Sequence, residues 1–96
     1  MMAAKVDANQ GEIVDALRGH YCSVALLHRV GGGVPDLLVG YQGRNILMEV
    51  KDGAKPASQQ KLTGPQVEFH AAWRGANIHI VRNTEEALNA AGVQRG

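Results

Sequence analysis

The stretch from Val34 to Lys51, V-P-D-L-L-V-G-Y-Q-G-R-N-I-L-M-E-V-K, constrains the fold more than any other part of the chain. Two runs rich in Leu, Val and Ile flank Gln42-Gly43-Arg44, which predicts a β-hairpin with strands over 34–41 and 45–51. Strand side chains alternate between faces, so Leu47, Glu49 and Lys51 share one face while Met48 and Val50 take the other. With the turn at Gln42-Gly43, Asp36 at the start of the first strand lies across from the Glu49–Lys51 end of the second. Two acids and a lysine are therefore expected together at one end of an otherwise apolar strand pair.

The remaining segments supply what such a hairpin needs to bury its other face. Ile13, Val14 and Leu17 fall at helical spacing within 7–18, with Asp7 as the expected N-cap and Gly19 as the stop. Residues 21–28 form a short apolar run with β-branched Val24, ended by Gly31-Gly32-Gly33, and read as a strand followed by a loop. Residues 52–62, with Gly53, Pro56 and Ser58, read as an exposed loop. Thr63-Gly64-Pro65-Gln66 has the form of a capping box, and Val67, Phe69, His70 and Trp73 continue a helix toward Gly75. A fourth strand is expected over 77–82, and a last helix from Thr84 through Leu88 toward Gly92. The order helix, three strands, helix, strand, helix predicts an α/β fold with a mixed sheet flanked by helices, since a strand that returns through a helix enters its sheet parallel.

The chain has 96 residues, read as one domain over 1–96. Its 45% hydrophobic and 20% charged residues are those of a globular chain, not a disordered one. No apolar run approaches the ~20 residues that span a bilayer, and Met-Met-Ala-Ala-Lys-Val-Asp lacks the apolar stretch of a signal peptide, so a cytoplasmic location is expected. The single Cys22 can form neither an internal disulfide nor a cysteine zinc site and is read as a buried small hydrophobe. A net charge of +1 does not by itself mark a nucleic-acid binder. Lys51, Lys55 and Lys61, diluted only by Asp52, make a small basic run; alone, such a run reads as a solvated loop.

Two carboxylates at one sheet end repel each other unless a cation offsets them, and Mg²⁺ or Mn²⁺ with oxygen ligands does so. Asp36 and Glu49 are the candidate metal ligands. Lys51, two residues beyond Glu49, points to the same spot, where a lysine can orient the attacking water and stabilise charge on a phosphate. The bland alternative is a turn-capping Asp36 and a surface Glu49–Lys51 pair worth under ~1 kcal/mol.

Pro35-Asp36 followed by Glu49-Val50-Lys51 resembles the motif of the PD-(D/E)XK nuclease superfamily. Gly31-Gly32-Gly33-Val34-Pro35-Asp36-Leu37-Leu38 and the downstream Gln66 are most similar to its VRR-NUC family, the virus-type replication-repair nucleases, over residues from about Asp7 to Leu88. The resemblance implies a restriction-endonuclease-like core and a metal-dependent DNA endonuclease from a bacterial or phage-infected cell. It also implies Asp36, Glu49 and the Val50 carbonyl as metal ligands, Lys51 as catalytic lysine and Gln66 as a helper near the scissile phosphate. For a stand-alone domain it suggests a homodimer that cuts branched DNA in the manner of a Holliday junction resolvase, with Lys55 and Lys61 as DNA contacts.

Gln66 admits a second reading, because the third helical position of a capping box accounts for a glutamine without catalysis. Many members of the superfamily carry a further acid on the first helix; here the apolar stripe is centred near Gln10, with Asn9 beside it, so a neutral amide is expected to face the site as an accessory group. His20, His28, His70 and His79 lie on different elements without metal-ligand spacing, and only His70, one turn after Gln66, is a candidate for approaching DNA. The glycine triplet lacks the lysine of a P-loop and is read as a bend near the metal. Phe69 and Trp73 are read as core or dimer surface. Two rival functions stay open: a nuclease-like fold used for DNA binding or assembly with little catalysis, and a small interaction protein with surface ion pairs.

Overall fold

The computed structural model describes residues 6–95; Met1–Lys5, read above for their lack of an apolar stretch, lie outside them. Its elements are α1 (Gln10–Gly19), β1 (Ser23–Leu26), β2 (Leu37–Tyr41), β3 (Arg44–Val50), α2 (Gly64–Ala72), β4 (His79–Val81) and α3 (Thr84–Ala91), with one 3₁₀ turn at Ala57–Gln59. The sheet order is β1-β2-β3-β4, antiparallel across the first two pairings and parallel at β3–β4. The expected α/β class and element order are therefore those observed.

The hairpin register pairs Tyr41 with Arg44 and Leu37 with Met48. Its connection is a two-residue turn, Gln42-Gly43, with φ of 48° and 78°, the positive values that match the twist of the flanking strands. Arg44 thus belongs to β3 rather than to the turn. Strands β1, β2 and β4 are shorter than their apolar runs suggest. Tyr21 adopts φ 68° and stays outside β1, and residues 34–36 precede the β2 ladder, although Leu27 N–H still donates to the Asp36 carbonyl at 2.7 Å.

Helix starts follow local chemistry with one correction. Thr63 and Gln66 form the expected reciprocal capping box, and Asn83 caps α3 by accepting from Glu86 N–H at 2.8 Å. At α1 the N-cap is Asn9, not Asp7, and its side chain leaves the helix alone. Asn9 Nδ2 donates instead to the Lys51 and Arg82 carbonyls, at 3.1 and 2.9 Å, tying the start of α1 to the ends of β3 and β4. At the other end of the sequence, Gly92 terminates α3 in the left-handed region. Helix α2 stops at Trp73, short of Gly75.

The core lies on one face of the sheet. Ile13 and Leu17 of α1 and Ala87, Leu88 and Ala91 of α3 meet Leu37, Val39, Met48, Val50 and Val81, all almost fully buried. Cys22 joins this cluster, and burial pushes its thiol pKa up. Helix α2 meets the Glu49 side of the sheet through Gln66 and His70 and has no buried residue. Trp73 is 46% exposed, which excludes the core reading; it stacks on Phe69 with ring centroids 5.3 Å apart. Among the described residues no helix is long and apolar enough to cross a membrane.

Candidate active site

The face opposite the core carries the polar groups, because period-2 alternation in β3 sends Glu49 away from Met48 and Val50. One rung beyond the Leu37–Met48 pair, Asp36 meets the end of β3, and its Oδ2 accepts from Val50 N–H at 2.8 Å. Pro35, fully buried, anchors the chain just before it. Glu49 is 1% exposed and Lys51 8%, so neither belongs to a solvated surface pair.

Gln66 joins the two. Its Nε2 donates to Glu49 Oε2 at 3.1 Å, while its Oε1 accepts from Lys51 Nζ at 2.9 Å and from Thr63 N–H at 2.9 Å. The capping reading of this glutamine is borne out, and the box holds its amide at the position where it bridges acid and lysine. The glycine loop determines how close α2 comes. Gly31, Gly32 and Gly33 all have positive φ, and a Cβ on Gly33 would run into the Pro65 carbonyl. Only glycine lets this loop pass against the first turn of α2.

These groups open into a cavity of about 310 Å³ lined by Asp7, Asp36, Glu49, Lys51, Lys55 and Gln66, together with Val6, Val50 and Thr63. Larger cavities of about 460 and 510 Å³ lie elsewhere, but neither brings the two acids and the lysine together.

The Glu49 pKa is pushed up to about 9. Burial is the main cause, followed by a hydrogen bond with the Asp36 carboxyl and by the Asp36 charge; Lys51 opposes the rise and Asp7 adds to it. Crowding of carboxyl groups of this kind is what a bound cation would relieve. Among the described residues no group of three or more His, Cys, Asp or Glu side chains gathers as a metal cage. The cleft is lined by three carboxyl side chains, Asp7, Asp36 and Glu49, oxygen donors of the kind that hard divalent cations take.

Three sequence expectations are revised by this geometry. Gln10 is 3% exposed, with Nε2 3.3 Å from His28 Nδ1, and is not among the cleft residues. Its stripe packs on the apolar face of the sheet, whereas Glu49 points to the α2 face. Asp7, expected as a helix cap, lines the cleft instead and pairs with Lys55 at 3.7 Å. His70 reaches the site directly, with Nε2 3.4 Å from Glu49 Oε1, and burial and the Lys51 charge lower its pKa. The spacing of four between Gln66 and His70 was the available signal. Lys55 lines the cleft; Lys61 does not. His20, just past the end of α1, bonds the Ala16 carbonyl, and His79 is exposed. Comparison of the chain with protein-family models, with curated proteins and with solved structures returned no match.

Proposed function

We propose that this protein is a metal-dependent DNA endonuclease of the PD-(D/E)XK type, similar to the VRR-NUC family. The single observation that carries the reading is the convergence of Asp36, Glu49, Lys51 and Gln66, linked by hydrogen bonds, in one polar cleft. Asp36 and Glu49, with the Val50 carbonyl, are the residues that would hold Mg²⁺ or Mn²⁺. When bound, the ion supplies charge neutralisation at the phosphate and a more acidic water. Lys51 Nζ, presented by Gln66 Oε1, donates to the attacking water and offsets the charge that grows on the phosphate oxygens. Gln66 keeps Lys51 and Glu49 in mutual register, and the Thr63 cap keeps Gln66 in place.

The proposed substrate is branched DNA, cut in pairs by a homodimer of the resolvase type in the cytoplasm of a bacterial or phage-infected cell. Val67 and Trp73, 52% and 46% exposed on α2, supply apolar surface for a second copy. Lys55 at the cleft and Lys61 nearby in sequence are the proposed phosphate contacts, and with so few cations binding weakens steeply as salt rises. The rival reading, a nuclease-like fold with little catalysis, leans on a neutral Gln10 at the site. Asp7 in the cleft and Gln10 turned to His28 remove that support.

The test is cleavage of end-labelled four-way junction, splayed and linear duplex DNA at low salt with Mg²⁺, Mn²⁺ or chelator, comparing wild type with Asp36→Ala. Paired metal-dependent cuts in the junction that vanish in the variant support the full reading. Cutting of every form keeps the nuclease and discards the resolvase. No cleavage by folded, metal-loaded protein overturns both.

A further inference from the structure

Glu49 is nearly inaccessible at 1% exposure, and both of its carboxylate oxygens face partners from the same helix. Oε2 receives Gln66 Nε2 at 3.1 Å; Oε1 lies 3.4 Å from His70 Nε2, on a side chain 15% exposed. Residues four apart share one helical face, so Gln66 and His70 form a two-pronged clamp. The capping box explains why Gln66 is where it is, yet it makes no demand on His70. Nor does packing, since α2 carries no buried residue that would seat this turn on the sheet. Each carboxylate oxygen has two lone pairs, so accepting one hydrogen bond leaves each free to meet a cation.

We propose that His70 is a positioning residue for Glu49: in the tautomer with its hydrogen on Nε2 it donates to Oε1 and, opposite Gln66, fixes the carboxylate plane that faces the metal. The inference rests on the endonuclease reading above and adds to it a residue that the acid, acid, lysine motif does not contain. A metal-binding carboxylate whose rotation is blocked keeps its coordinating lone pairs aimed, and outer partners of this sort are worth about 10–100-fold in metal affinity. His70 touches neither the water nor the phosphate in this scheme; it acts through Glu49.

The test is calorimetric titration of the full chain with Mn²⁺ alone, for wild type, Asp36→Ala, His70→Ala, His70→Gln and Trp73→Ala, each checked for folding by circular dichroism. His70→Ala is expected to weaken Mn²⁺ by about 10-fold or more. His70→Gln, whose amide nitrogen can occupy the place of Nε2, is expected to restore most of that loss. Trp73→Ala, which disturbs the same helix without reaching Glu49, should bind as wild type does. Folded His70→Ala binding Mn²⁺ as tightly as wild type overturns the positioning role, as does an equal loss in Trp73→Ala, which would reduce His70 to general helix packing. If wild type and Asp36→Ala are equally unable to bind, the endonuclease reading itself falls and takes this role with it.

Discussion

The two faces of the sheet are built by opposite rules. On one, Ile13, Leu17, Leu37, Val39, Met48 and Val50 close into a dry layer under α1 and α3. On the other, α2 buries none of its residues, and it meets Glu49 and Lys51 through hydrogen bonds with Gln66 and His70. A single strand serves both, for β3 points Met48 and Val50 into the first face and Glu49, with Lys51 just past its end, into the second. The difference teaches that stability and chemistry are separated by the thickness of one backbone. The apolar face contributes the burial that folds a small domain, and it can therefore hold a costly pair of acids on the reverse side.

If that division is sound, the two faces should fail differently. Lys51→Ala should lower DNA cleavage by about 10²–10⁴-fold, the range for a group that acts on a proton or on developing charge in the transition state. Its melting temperature should move less than that of any large-to-small change in the core. Cleavage kinetics and thermal melts on the same sample make the comparison, and a variant that loses both equally would erase the distinction. Leu17→Ala, at a position with no exposure, should instead cost about 2–5 kcal/mol in denaturant unfolding. Under conditions where it remains folded, its Mn²⁺ affinity should match that of wild type. A large loss of affinity there would mean that the polar face is held in shape by the core more tightly than the contacts indicate.

A further expected effect concerns pH. In chelator, the folded chain keeps a proton on Glu49 up to about 9, against 4.5 for the same group unperturbed. Between those values the folded state binds more protons than the unfolded one, so stability falls as pH rises. The contribution is present in full below the unfolded value and is lost as pH climbs through the folded one. Glu49→Gln, which stays neutral and can still accept from Gln66 or His70, should flatten that decline in melting temperature measured across the window. An unchanged slope would show that Glu49 is not the group responsible.

Much of the site was legible because it is local. The pairing of Asp36 with the end of β3 follows from a two-residue turn and the alternation of strand side chains, and the seat of Gln66 follows from Thr63 three residues before it. Gln10 was read to the right side of its own helix, since it is buried with Ile13 and Leu17, but to the wrong side of the sheet. Helical periodicity says which residues face inward and is silent about which sheet face the helix covers. Asp7 shows the complementary error: short acids before a helix are ordinary caps, and only the packing of the chain entering α1 carries this one into the cleft.

The sequence by itself determined the order of elements, the hairpin register, the Thr63–Gln66 capping box and the shared face of Glu49 and Lys51, because these depend on backbone dihedrals, turn geometry and side-chain period within a few residues. Only the tertiary structure decided that His70 meets Glu49, that Asp7 lines the cleft and that Gln10 turns to His28. Those contacts depend on how α2 is seated across the sheet, where Gly33 passes against the Pro65 carbonyl, and on which face α1 covers. Such distances are set by the packing of segments remote in the chain, and no local period records them.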